Sequence, residues 1–268
     1  MDTTGLDPIN MSYVFSIEKS FDTRAFYDYM LQHWSDSLVY SAIYLVVIFG
    51  GKAYMANRKR FELRPYLAVW SGLLAVYSIL GTIRTVPELI WALSHHGFEY
   101  SYCNNSYLDQ GKVSAFWCCI FVLSKAFELG DTLFIVLRKQ PLIFLHWYHH
   151  ITVLVYSWSS YTDQIANARY FVVTNYTVHS FMYSYYALRA MKFQLPKWVS
   201  MFITSLQLAQ MAWGVIIVVL SFSALTSGRE CVTHYRNICY CLLMYFSYLI
   251  LFAHFFYDAY VVRKQKKQ

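Results

Sequence analysis

Three imidazoles lie within five positions of the stretch Leu145-His146-Trp147-Tyr148-His149-His150-Ile151. On a helix, His146 and His150 are spaced i, i+4 and His146 and His149 i, i+3, so the three rings cluster on one side. Neutral imidazole attacks a carbonyl, moves protons or binds a transition metal, and each of these suits closely spaced rings. The surrounding run, Pro141 to Tyr161, has the length and composition of a membrane-spanning helix of about 20 residues. Ionisable groups at bilayer depth mark a protein interior or a wet cavity rather than a lipid face.

Other runs carry polar residues with helical spacing. Lys125, Glu128 and Asp131 recur at i, i+3, i+6 in Lys125-Ala126-Phe127-Glu128-Leu129-Gly130-Asp131-Thr132. A structural ion pair between Lys125 and Glu128 would account for two of them and leave Asp131 unexplained. A carboxylate there could hold the second nitrogen of an imidazole and fix its tautomer. Asn175 and His179 share a face, continued by Tyr183 and Tyr186, and Thr204, Gln207 and Gln210 form a further stripe. A single buried amide is ordinarily interhelical glue. Four runs with aligned polar faces are better explained by one polar-lined cavity.

The elements that must position these residues follow from composition. The 268 residues are 57% hydrophobic, 20% aromatic and only 14% charged, with a mean hydropathy of +0.34. That excludes an ordinary soluble domain and predicts an all-α, polytopic membrane protein. Seven spans are expected, roughly 37 to 56, 66 to 93, 114 to 137, 141 to 161, 168 to 188, 198 to 224 and 235 to 262. The chain then divides into an N-terminal segment (1–36), a membrane domain (37–262) and a basic tail (263–268). Residues 1 to 36 lack the apolar core of a cleaved signal peptide. Arg84 and Glu88, four apart in the second span, are placed to pair, although an arginine near a membrane cavity could equally hold a phosphate or carboxylate, and His254 is expected to be a hydrogen-bonded core residue.

The net charge of +7 is distributed by topology and not as a nucleic-acid footprint. Lys52, Arg58, Lys59, Arg60 and Arg64 follow span one, Arg138 and Lys139 span three, and Arg189, Lys192 and Lys197 span five. The positive-inside rule places these and the tail in the cytosol, with the N-terminus on the far side. Cys103 and Cys231 fall in far-side loops and are expected to be disulfide-bonded, while Cys118, Cys119, Cys239 and Cys241 lie within spans as packing residues. Asn104 and Asn10 head glycosylation sequons on that same side. Lys264 and Lys266 have the spacing of a dilysine retrieval signal for the endoplasmic reticulum, although they serve equally as topogenic charges.

Together these motifs resemble the ELO family of very-long-chain fatty-acid elongases. The likeness rests on Lys-x-x-Glu-x-x-Asp-Thr (125–132), His-x-x-His-His (146–150), Asn-x-x-x-His with Met-Tyr-x-Tyr-Tyr (175–186) and Thr-x-x-Gln-x-x-Gln (204–210), in the family's order and without departure. Glu-Leu-Gly-Asp-Thr and His-Trp-Tyr-His-His are most similar to the vertebrate members acting on saturated and monounsaturated chains. The resemblance implies a multi-pass 3-ketoacyl-CoA synthase of the endoplasmic reticulum that condenses long-chain acyl-CoA with malonyl-CoA, with no bound cofactor or metal. It implies six helices in an inverted barrel around an acyl tunnel, with the first helix outside, and His149 as acyl carrier. His146, His150, Asn175, His179 and Asp131 would then orient groups, move protons or stabilise charge, beside substrate contacts from Lys125, Glu128, Tyr183, Tyr186, Thr204, Gln207 and Gln210. Expected partners are membrane lipid, other enzymes of the elongation cycle and further copies of such chains. Three other classes compete. A di-iron oxidase would need about eight histidines in several boxes, against nine in total and one box here; a receptor or an acyl carrier gives no reason for clustered imidazoles.

Overall fold

A backbone surrounded by lipid must satisfy its own hydrogen bonds, and long apolar runs with few breaking residues do so as helices. The computed structural model describes residues 13–109 and 112–262, and every regular element among them is helical. Asn10, Lys264 and Lys266 lie outside the described residues. Two short helices, α1 (Ser16–Ser20) and α2 (Thr23–His33), precede α3 (Asp36–Met55), α4 (Arg64–Cys103), α5 (Val113–Phe127), α6 (Gly130–Leu137), α7 (Phe144–Thr162), α8 (Ala168–Ala190), α9 (Lys197–Thr226) and α10 (Tyr235–Phe256). A wider turn extends α10 over Tyr257–Val262. By length and composition α3, α4, α9 and the extended α10 suffice to cross a membrane. Of the remaining helices, α5 and α6 are short, while α7 and α8 carry the box histidines, Asn175 and His179.

Two expected spans differ in form. The third is not one helix: it is interrupted at Glu128 and Leu129, where Leu129 N–H reaches back only three residues to Ala126 O. The second is longer than expected and is itself two helical segments joined at Gly97, whose φ of +84° is in the left-handed range that glycine tolerates.

Helix α4 packs along α8, α8 on α9, α9 on α10, α10 on α7, α7 on α5 and α5 on α4, while α3 lies against α6 and α7. At Gly81 the approach of α4 to α8 is so close that a Cβ would come within 2.3 Å of the Tyr176 ring. One end of the molecule, the basic end, carries Arg64, Arg138 and Arg189. At the other, the disulfide end, Cys103 and Cys231 are bonded, and Val232 donates to Cys103 O (2.8 Å) and accepts from Ala166 N (2.8 Å). Cys118, Cys119 and Cys241 are buried and free, and Cys239 is exposed.

The expected Arg84–Glu88 pair is not made, because each has a more complete partner. The guanidinium of Arg169 takes both oxygens of Glu88 (2.8 and 3.1 Å) and also binds Asn104 O (2.9 Å) and the Ser106 hydroxyl (3.0 Å), tying α4 and its following loop to α8. Asn104 itself accepts from Ser106 N–H through Oδ1 (2.9 Å). Arg84 binds Glu18 of α1, which also accepts from the Trp117 indole (2.6 Å) and the Phe15 N–H (2.9 Å). His254 is likewise not a core residue: it is exposed and pairs with Asp258 at 3.3 Å.

Burial alone would push the Glu18 carboxyl up, but the hydrogen bonds from Arg84, Trp117 and Phe15 outweigh it and hold the group below its ordinary value. A depressed carboxyl gives stability that is complete above the unfolded value of about 4.3 and is lost as pH falls through the folded one. Amide hydrogen exchange within residues 13–33 in detergent, corrected for the intrinsic rate at each pH, should therefore lose protection only below about pH 4. The Glu18→Gln variant should lack that protection already at pH 6; loss of protection in the parent protein at pH 6 would contradict the assignment.

Candidate active site

Helix α7 starts at Phe144, so His146, His149 and His150 occupy its first two turns. The rings of His146 and His150 lie 4.5 Å apart and those of His149 and His150 5.6 Å apart, centroid to centroid. His150 is buried with its Nδ1 lacking a hydrogen-bond partner among the described residues. The three rings border a cavity of about 490 Å³ opening toward the basic end. Its walls include Glu128, Asp131, Asn175, His179, Tyr183, Tyr186, Gln207 and Gln210, together with Arg64, Arg138 and Arg189. The polar faces of the third to sixth expected spans do converge.

Lys125 stands behind this wall. Its ammonium donates to Glu128 Oε1 (2.7 Å) and to Asn175 Oδ1 (2.9 Å), with 1% of the side chain exposed. An ammonium has donors only, so the oxygen of the Asn175 amide must face Lys125 and the nitrogen must face away. That nitrogen is 3.1 Å from His179 Nε2 and donates to it. His179 Nε2 is therefore the acceptor and Nδ1 carries the proton. Nδ1 is 3.9 Å from Glu128 Oε2, an oxygen with no hydrogen-bond partner among the described residues. The lysine thus sets the tautomer of an imidazole it does not touch.

The polar residues on either side of the interruption between α5 and α6 have different partners. Lys125 and Glu128 face Asn175 and His179, whereas Asp131 accepts from the Trp70 indole (2.6 Å) and the Tyr183 hydroxyl (2.7 Å). The expected Asp131–imidazole contact is not made. The neighbouring Thr132 reaches an imidazole instead: its hydroxyl lies 2.9 Å from His146 Nε2 and 2.7 Å from the Tyr44 hydroxyl of α3. Thr204 does not border the cavity; it binds Ser200 O (3.0 Å) and lies 3.3 Å from the Tyr260 hydroxyl. Gln207 donates to the Met182 sulfur at 3.3 Å.

Neither ring nitrogen of His149 makes a hydrogen bond to protein among the described residues, although its ring lies 4.9 Å from that of Tyr248. His150 likewise makes none but is buried, so His149, the half-buried one of the two, is the more accessible to a ligand. Among the described residues no three His, Cys, Asp or Glu side chains come together as they would to hold a metal ion. Helical spacing marks neither Trp70 nor Tyr44, and it gives the three arginines at the cavity mouth no part in the site. The arginines had been read only as topogenic charges, a role that does not exclude binding an anion.

The profile of the ELO family, described as GNS1/SUR4, matches residues 29–268. The chain is 54% identical over 254 residues to very long chain fatty acid elongase 6 of Drosophila melanogaster, covering 94% of this chain and 80% of that protein. It is 47% identical over 262 residues to human very long chain fatty acid elongase 6 (96% and 98% covered) and 41% identical over 252 residues to human very long chain fatty acid elongase 3 (94% and 92%).

Lys125→Met should lower stability by about 3 to 5 kcal/mol by stranding the buried Glu128 charge. Thermal unfolding in detergent should show part of that loss recovered in Lys125→Met/Glu128→Gln, and strictly additive losses would contradict the pairing. A Cβ at Gly130 would lie 2.8 Å from the Trp70 indole that holds Asp131. Gly130→Ala should therefore cost about 1 to 3 kcal/mol, read in the same melts.

Proposed function

This chain belongs to the ELO (GNS1/SUR4) family, and from that premise we propose that it condenses a long-chain saturated or monounsaturated acyl-CoA with malonyl-CoA to give 3-ketoacyl-CoA, CO2 and CoA. It is a multi-pass membrane protein. In our reading all seven expected segments span the endoplasmic reticulum membrane, with the basic end in the cytosol and the N-terminus in the lumen. Helices α4 to α10 form the inverted barrel with α3 outside; the succession of helix contacts that returns to its start supports this.

The observation that carries the chemistry is His149: an imidazole with unengaged nitrogens beside oriented amides and imidazoles from other helices. Its lone pair attacks the thioester carbonyl, the C–S bond breaks, and CoA leaves as the thiolate, which takes up the proton that the other ring nitrogen gives up. The resulting acyl-imidazole is a good acyl donor and hydrolyses readily, so a cavity away from bulk water protects it. Malonyl-CoA then loses CO2, and its enolate attacks the acyl carbon, expelling the imidazole. His179 offers Nδ1–H, and Gln207 and Gln210 offer amide N–H groups, to the negative charge that develops on oxygen. Arg64, Arg138 and Arg189 suit the phosphates of CoA at the mouth. His146 and His150 position the box, with Thr132 holding His146. Asp131 orders Tyr183 and Trp70 along the wall. The scheme requires no bound cofactor.

Incubation with acyl-CoA alone should release CoA in amount equal to protein and add the acyl mass to the peptide containing His149. With both substrates, initial rates should follow ping-pong kinetics, and His149→Ala should lose at least about a thousandfold in kcat. A His149→Ala protein that still becomes acylated would refute the assignment.

A further inference from the structure

A working imidazole is ordinarily aimed by a hydrogen bond at its second nitrogen, because the torsion that turns the ring is soft and sets no single direction by itself. Around the cavity Thr132 holds His146 (2.9 Å) and Asn175 holds His179 (3.1 Å) in that way. His149 has no such bond among the described residues, so the direction of its ring is left to packing. Two rings pack on it: that of His150 at 5.6 Å and nearly perpendicular, and that of Tyr248 at 4.9 Å and inclined by 50°.

Tyr248 belongs to α10 and lies outside every motif marked by polar spacing. It is 2% exposed and does not border the cavity. What holds it is its hydroxyl. Thr152 gives its one hydroxyl hydrogen to Tyr148 O (2.7 Å), one turn back on α7, so in the 2.5 Å contact between Thr152 and Tyr248 it is Tyr248 that donates. The same tyrosine oxygen lies 3.3 Å from His149 O. One residue earlier on α10 the logic repeats: Ser247 gives its hydrogen to Met244 O (2.8 Å) and therefore accepts from the Tyr148 hydroxyl (3.0 Å). Each helix thus donates one bond to the other, and together these bonds set the register of α10 against α7 at the level of His149.

We propose that Tyr248, tethered through its hydroxyl to Thr152, is the positioning residue that aims the His149 imidazole at the acyl carbonyl. The proposal rests on the acyl-imidazole reading above. With the Tyr248 ring against one side and the His150 ring against another, the imidazole keeps one direction; with the first removed it turns into the vacated space. Tyr248 acts through His149 and not on the substrate, so its loss slows attack and leaves acyl-CoA binding in place.

The test uses the full chain in detergent with acyl-CoA alone and follows the burst of CoA release. The burst rate reports attack by His149, and the amplitude reports the fraction of competent protein. Tyr248→Leu should lower the rate at saturating acyl-CoA about a hundredfold, the cost of misplacing a reacting group by about 1 Å. Its amplitude and its half-saturating acyl-CoA concentration should stay within about twofold of the parent's. Tyr248→Phe and Thr152→Val each keep the ring and remove only the tether, and each should slow the burst about tenfold. Because both delete the same bond, the double variant Tyr248→Phe/Thr152→Val should be no slower than either single one. An unchanged rate in any of the three single variants, a loss confined to amplitude, or single losses that multiply in the double variant would overturn the proposal. Should Tyr248→Leu not fold, the cycle of Tyr248→Phe and Thr152→Val decides. Absence of any burst from the parent would instead defeat the reading on which the proposal rests.

Discussion

The Lys125 ammonium is buried against one carboxylate and one amide, and because it can only donate, those two contacts fix the orientation of everything beyond them. Glu128 presents its remaining oxygen to the cavity, Asn175 turns its amide nitrogen toward His179, and His179 keeps its proton on Nδ1. Removing either charge would leave the other uncompensated, at about 3 to 5 kcal/mol. The pair is therefore a poor source of net stability and a strong source of geometry. The site depends on the second property.

Two further buried ion pairs do for the frame what Lys125 does for the site. Arg169 with Glu88 binds α8 to α4 and to the loop beyond it, and Arg84 with Glu18 fastens the N-terminal segment across the disulfide end. That end is thereby closed by charge, disulfide and aromatic packing, while the basic end stays open around its arginines. A chamber open at one end and sealed at the other suits a reaction whose acyl chain needs dry cover and whose CoA needs water and cations. Within it, His149, the more exposed of the two box imidazoles that no protein hydrogen bond engages, shares the cavity with His179, Gln207 and Gln210.

Much of this was legible from spacing. His146, His149 and His150, Asn175 with His179, and Gln207 with Gln210 were aligned by helical periodicity, and the helices do turn those faces to one cavity. Periodicity failed where the helix failed. Beyond the interruption at Glu128 and Leu129, Asp131 binds Trp70 and Tyr183 and Thr132 is the contact of His146, partners on other helices that an i, i+3 pattern does not show. It failed again for Arg84 and Glu88, since sequence spacing finds neighbours on one helix and cannot see Glu18 or Arg169 arriving from elsewhere. His254 was misread because an aromatic run suggests burial, whereas that face of α10 is uncovered. The arginines at the mouth were found but assigned one role, because the charge that sets topology is also the charge that can bind phosphate.

The most direct measurement is the tautomer of His179, read from nitrogen chemical shifts of protein labelled with 15N-histidine near neutral pH and assigned with His179→Gln. The account requires a neutral ring protonated on Nδ1 in the parent protein, with that signal lost or redistributed in Asn175→Ala and Lys125→Met. A ring protonated on Nε2 in the parent, or a signal indifferent to both substitutions, would contradict it.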